Sequence, residues 1–312
     1  MTILLINIDS TIPNLALKKI EKYHKDKGDK VIWDYPLAIN SCDKTYVSCI
    51  FPENIDKARE YEGRALIGGS GYDISIKLPP EINNVKPRIN WGFTTRGCIR
   101  NCPFCFVPKM EGGIRVVGDI YDIWDGKSKE LFIMDNNILA VPEHFKTICR
   151  QIREEKIKVD FNQGLDHRLL TPSLWKEIKS IKHIREKRFA FDNINEEPTV
   201  MKALDIMRDG GLKDWETRWY IYIGENDNFK TVYNRMILLH EHKQACYVMR
   251  DKKVYNNPLW IAISSWGNTM GAFKMDLFDL LDRSKRMKKY KKIILKELRD
   301  NNYRGIDDKS SL

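Results

Sequence analysis

Beyond residue 88 the chain alternates short apolar, β-rich runs with amphipathic stretches of helical period. Strands are expected near residues 88–94, 130–136, 158–164, 187–193, 218–224 and 245–251. Helices are expected near 142–155, 172–182, 198–209 and 228–243. Pro142, Pro172 and Pro198 stand near helix starts, where a missing amide loses no bond, and Gly210-Gly211 is a helix stop. Strand–helix alternation of this kind predicts βαβ units and a parallel sheet.

Residues 1–85 carry a different pattern. ILLINID reads as a buried strand, and residues 13–27 as a helix with Leu15, Leu17, Ile20 and Tyr23 inward. Gly28-Asp29 turns the chain. VIWDY and TYVSCIF are further strands, and ALIGGSGYD is a strand running into a glycine loop. The order predicts a small Rossmann-like α/β layer. Pro79-Pro80 to Pro87 reads as a linker. The expected division is therefore 1–85, 86–257 and a C-terminal extension, 258–312, that closes or lids the core with Trp260 and Trp266.

Composition narrows the class. At 42% hydrophobic residues and 312 in length, the chain suits one large or two smaller globular domains. No apolar run nears the ~20 residues that span a bilayer. The first residues lack a basic leader, so no signal peptide is expected. Seven cysteines, three of them clustered, do not form a disulfide framework and fit a reducing cytoplasm. The net charge of +10 is concentrated: residues 283–299 hold nine basic residues and one acidic, leaving +2 elsewhere. That segment offers phosphate contacts to a nucleic acid. The plainer reading is a solvated amphipathic helix packing Met287, Tyr290, Ile294 and Leu295.

The chemistry centres on Arg-Gly-Cys98-Ile-Arg-Asn-Cys102-Pro-Phe-Cys105, a C-x3-C-x2-C run. Three thiolates on one loop converge on a soft metal centre. They are one short of closing a 4Fe-4S cluster or a tetrahedral zinc site, and an iron without a protein ligand is an open coordination position. Structural zinc needs a fourth ligand from Cys42, Cys49, Cys149, Cys246 or a histidine, and the second ligand pair usual for zinc is absent. The same scattered cysteines offer no auxiliary cluster.

The run resembles the cluster motif of the radical S-adenosylmethionine (SAM) superfamily. The resemblance implies that Cys98, Cys102 and Cys105 hold three irons of a 4Fe-4S cluster while SAM chelates the fourth. An electron from a flavodoxin or ferredoxin then cleaves SAM to a 5′-deoxyadenosyl radical that abstracts hydrogen from a substrate. It implies a partial (β/α)6 TIM-like barrel, open on one side, with its site at the strands' C-terminal ends.

Residues at those ends take expected roles. Phe104 lies near adenine. Asp135, Asn136 and Asn137, not the common Gly-Gly-Glu form, meet the SAM amino group. Gln163, Asp166 and Arg168, in FNQGLDHRLL, orient SAM or substrate, with Asp166 and Arg168 expected to be catalytic or paired internally. Asp192, Gly224, Val248 and Met249 complete the cofactor contacts. The N-terminal layer resembles the cobalamin-binding domains that precede some such cores. The Asp-x-His-x-x-Gly corrinoid motif is absent, so cobalamin is left open but not favoured. The alternatives are a cobalamin-dependent methyltransferase and a zinc-stabilised nucleic-acid-binding module. The glycine loop 68–71 lacks a P-loop lysine.

Overall fold

The computed structural model describes residues 1–269, 277–283, 285 and 288–300. They fall into two compact units: Met1–Asn101 with Cys105–Asn136, and Cys102–Phe104 with the chain from Asn137 onward.

The first unit holds β1 (Thr2–Asn7), α1 (Leu15–Asp26), β2 (Lys30–Trp33), β3 (Lys44–Ser48), α2 (Ile55–Arg59), β4 (Leu66–Gly68) and α3 (Pro80–Asn83). Then come β5 (Trp91–Gly92), β6 (Thr95–Arg96), α4 (Val107–Glu111), β7 (Arg115–Val116) and β8 (Glu130–Ile133). β1 to β4 form a parallel sheet in the order β2-β1-β3-β4. The continuous ILLI run is explained by burial on both faces. Ile3 and Leu5 pack with Leu17 and Ile20 of α1, Tyr46 and Ile82. Leu4 and Ile6 pack with Val47, Cys49 and Ala58 on the other side. Asn14 caps α1 by accepting the Leu17 amide at 3.2 Å, and its own amide donates to Ser48 Oγ at 2.9 Å.

β5 pairs in parallel with β8, whereas β6 and β7 pair antiparallel. The strand expected over 88–94 thus shrinks to two residues. Arg88 and Asn90 have left-handed backbones (φ 50° and 63°), which no regular strand contains.

The second unit holds α5 (Pro142–Glu154), β9 (Lys158–Phe161), α6 (Pro172–Ser180), β10 (Lys182–His183), β11 (Lys187–Ala190), α7 (Glu197–Asp209), β12 (Thr217–Ile223), α8 (Phe229–Glu241) and β13 (Ala245–Arg250). α9 (Pro258–Asn268), α10 (Leu277–Arg283) and α11 (Lys288–Asp300) follow. β9 pairs in parallel with β10, and β11-β12-β13 form a parallel three-stranded sheet. Leu165 and Phe189 add a parallel bridge beyond β9. Lys182 was expected to end a helix and instead opens β10.

On one face of β12 and β13, Trp219, Ile221, Ile223, Cys246 and Val248 are buried. α9 lies close against that face, because a Cβ on Gly267 would stand 2.8 Å from Val248 Cγ2 and 2.9 Å from Met236 Cε. The opposite face carries Tyr220 and Tyr222 in register with Tyr247 and Met249. Tyr247 and Met249 remain exposed. In α9 and α11 Trp260, Trp266, Tyr290 and Ile294 are buried, so part of the expected apolar face of 283–299 does pack. Met287 lies outside the described residues.

Candidate metal centre and its polar surroundings

The cysteine loop begins at a sharp bend. Gly97 has φ +82°, and a Cβ there would stand 2.3 Å from Gly113 O and 2.6 Å from Gly112 O, so only glycine fits. The Cys98 amide donates to Gly112 O at 3.2 Å, holding the chain before the first cysteine against the chain after α4. Cys98 Sγ accepts the Arg100 amide at 3.3 Å. Cys98, Cys102 and Cys105 are half-buried, and none of the seven cysteines is in a disulfide. Among the described residues no three His, Cys, Asp or Glu side chains form a ready cage for a metal ion.

Glu111, which the sequence reading passed over, stands behind the bend. It accepts from Arg96 Nη2 at 2.7 Å, from the Gly97 amide at 2.9 Å and from Asn136 Nδ2 at 3.0 Å. Its signal in the sequence is faint: an acidic residue before Gly112-Gly113, with nothing to say which donors it meets.

Asp135 ends the β8 segment and is 3% exposed. One oxygen accepts the Thr94 amide at 2.6 Å and the other the Thr94 hydroxyl at 2.5 Å. Burial pushes its carboxyl up to about 6, although the Thr94 bonds pull the other way. A folded-state pKa above the unfolded value favours the folded protein while the group is protonated. This contribution is complete below about pH 4 and is lost as pH rises through about 6. Asp135→Asn mimics the protonated form. The fall in melting temperature between pH 4 and 7 is therefore expected to be smaller in the variant than in the native chain. Identical pH profiles would contradict the burial assignment.

In the second unit, Asn137 Nδ2 donates to Asp166 Oδ2 at 3.0 Å. Asp166 Oδ1 receives Arg168 Nε at 2.7 Å, and Arg168 Nη1 reaches Glu196 at 2.8 Å. Asp166 and Arg168 are thus joined in one internal ion pair. Gln163 is exposed.

Asp192 accepts the Tyr222 amide at 2.9 Å, and burial pushes its carboxyl up to about 6. Gly224 donates its amide to Asp227 Oδ2 at 2.7 Å. Behind these strand ends lies Arg235 of α8, fully buried. It donates to the carbonyls of Phe191, Asp192, Tyr222 and Thr231, and forms an ion pair with Asp227 at 2.8 Å.

Phe104 stacks on Tyr222, with centroids 4.4 Å apart, and the Tyr222 hydroxyl donates to Asp251 at 2.5 Å. Val248 presents no open backbone. Its amide donates to Asn268 Oδ1 at 2.6 Å, and its carbonyl accepts Asn268 Nδ2 at 2.8 Å. A ligand seeking that backbone has to displace the side chain of Asn268. Arg235, Tyr222 and Asn268 were not named from sequence, because their partners are distant in the chain.

These features describe an α/β protein with parallel strands whose polar residues and cysteine loop follow the strands. No family model matches the chain, and no curated protein matches it. Among solved structures it is similar to the cobalamin-dependent S-adenosylmethionine radical enzyme OxsB, in a structure with aqua-cobalamin and S-adenosylmethionine bound. The TM-score is 0.52 at 14% identity, over 92% of this chain and 56% of that one. The structure of OxsB with aqua-cobalamin alone gives the same figures. At this identity the likeness is one of fold, and the chain spans little more than half of OxsB's length.

Proposed function

We propose that the chain is a radical SAM enzyme in which Cys98, Cys102 and Cys105 hold a 4Fe-4S cluster. The observation that carries this reading is the donor set: three half-buried thiols, none in a disulfide, within eight residues of one loop. A fold similar to that of a SAM radical enzyme supports it. When bound and reduced, the cluster supplies the electron that cleaves SAM to a 5′-deoxyadenosyl radical, which takes hydrogen from the substrate. The chain's own residues bind and orient. Phe104, held flat by Tyr222, offers a ring for adenine to stack on. Asn136 and Asp135 offer acceptors to the SAM ammonium. Asp166 and Arg168 fix each other and leave the outer guanidinium bonds on Glu196. Gln163, Asp192, Gly224 and Met249 are kept as further contacts.

This reading places a Rossmann-like layer at 1–85, a partial barrel at 86–257 and an extension at 258–312, in a cytoplasmic protein reduced by a flavodoxin or ferredoxin. No helix among the described residues is long and apolar enough to cross a membrane.

The reading leaves cobalamin open but does not favour it. In a parallel sheet ordered β2-β1-β3-β4, ligands enter at the carboxyl ends between β1 and β3. Here the chain's own bonds take up part of that crevice. Asp9, after β1, accepts the amides of Ile50 and Phe51 at 2.8 and 2.9 Å and the Asn54 side chain at 3.2 Å. The glycine loop closes on the same segment, with Gly71 N donating to Cys49 O at 3.0 Å. A Cβ on Gly71 would stand 2.6 Å from Phe51 N. These contacts argue against a ligand on the glycine loop itself, while a cavity lined by Ile6, Asn7, Ile8, Asp34 and Lys57 keeps a ligand at the strand ends open.

The test is anaerobic reconstitution with iron and sulfide, followed by dithionite and SAM. Formation of 5′-deoxyadenosine and methionine in equal amounts is expected. A chain that carries the cluster, binds SAM and yields neither product would overturn the proposal.

A further inference from the structure

Glu111 closes α4 with a side chain only 4% exposed. Burying a carboxylate is unfavourable unless its oxygens are matched by donors. All three of its partners are donors. Arg96 Nη2 meets Oε1, while the Gly97 amide and Asn136 Nδ2 share Oε2. An ionised carboxylate suits this place because it only accepts, whereas an amide would set a donor against a donor. Arg96 supplies the balancing charge, and its guanidinium lies 3.9 Å over the Phe93 ring.

These partners are the two residues directly before Cys98 and the polar residue that follows β8. Gly97 is wedged against Gly112 and Gly113, and the Cys98 amide is bonded to Gly112. Glu111 therefore joins three chain segments: the start of the cysteine loop, its return after α4, and the end of β8.

We infer that Glu111 is a positioning residue that sets the Cys98 bend and the Asn136 amide at one fixed separation. The cluster ligand and the SAM contact then move as a unit. The SAM part of this rests on the proposed function; the bracing of the loop does not. Glu111 itself touches neither cluster nor substrate.

The test has an arm for each part. In the metal-free chain, Cys98 alkylation by iodoacetamide is followed by peptide mass spectrometry. Glu111→Gln, and Glu111→Ala where it folds by circular dichroism, are expected to speed labelling of Cys98 several-fold while leaving buried Cys149 unchanged. In the reconstituted enzyme, Glu111→Gln is expected to raise the KM for SAM roughly tenfold, the scale of losing a supporting partner, with a smaller change in kcat. Adding Arg96→Gln gives the new amide an acceptor and is expected to recover part of that loss.

A folded Glu111→Gln chain with native labelling and native KM overturns the inference, even if it melts earlier, because it would show a structural role alone. If the native chain does not cleave SAM while labelling still responds to Glu111, the function is wrong and the bracing stands.

Discussion

Replacing Cys102 by alanine is expected to reduce 5′-deoxyadenosine formation to the level of chain without cluster. Two thiolates cannot hold the three irons that the C-x3-C-x2-C run is proposed to hold, so iron content after reconstitution falls with activity. Alanine is close in size to cysteine, and Cys102 is only half-buried, so the packing change is small. Melting of the metal-free chain should therefore stay close to native. Cys149→Ala is the control for thiol loss as such. Cys149 is fully buried, and burial, with the Glu177 charge adding to it, pushes its thiol far up and away from metal-binding thiolate chemistry. A Cys102→Ala chain that retains full iron and SAM cleavage would end the cluster assignment. Stoichiometric zinc in the native chain after anaerobic isolation would favour the zinc-stabilised module instead.

The second large effect is on stability. Arg235→Ala is expected to lower unfolding free energy by about 3–5 kcal/mol, the cost of breaking a buried ion pair from one side. The argument rests on what is left behind. Arg235 is fully buried, and its removal strands the carbonyls of Phe191, Asp192 and Tyr222 and leaves the partly buried Asp227 carboxylate with the Gly224 amide but no charged partner. Phe191 and Asp192 follow β11 and Tyr222 lies in β12, so the guanidinium fastens the ends of two neighbouring strands. A chain of this size should melt roughly 10 °C lower. Arg235→Ala with Asp227→Asn should be less damaging than the two separate losses added, because the charge left without its guanidinium is gone. A single-variant loss under about 1 kcal/mol, within the range of an ordinary exposed ion pair, would contradict the buried clamp.

Much of the fold was legible in the residues. The ILLI run, the helix after it, and the later alternation of apolar runs with amphipathic stretches carry their structure in local pattern. The strand expected over 88–94 was misjudged, because left-handed turns at Arg88 and Asn90 leave no mark in a hydrophobic pattern. The site divides in the same way. The cysteine spacing is a local signal and could be read directly. Asp166 and Arg168 were named for catalysis, with internal pairing as the alternative, and their geometry is that pairing. Glu111, Arg235 and Asn268 depend on donors and acceptors brought from distant segments, which no spacing encodes. In the loop after β4, Gly69 and Gly71 are required by close approach to the backbone of Cys49 and Phe51, which spacing alone does not reveal.

Asn268 has a consequence beyond any ligand. Within its sheet β13 is a terminal strand, and a parallel strand with open backbone groups is a template for another chain to add to. At Val248 both groups are already answered by one carboxamide, which stands in for a neighbouring strand at a single rung. That rung of the outermost strand is thereby closed to an added chain, and the strand ends in the charged Arg250 two residues further on.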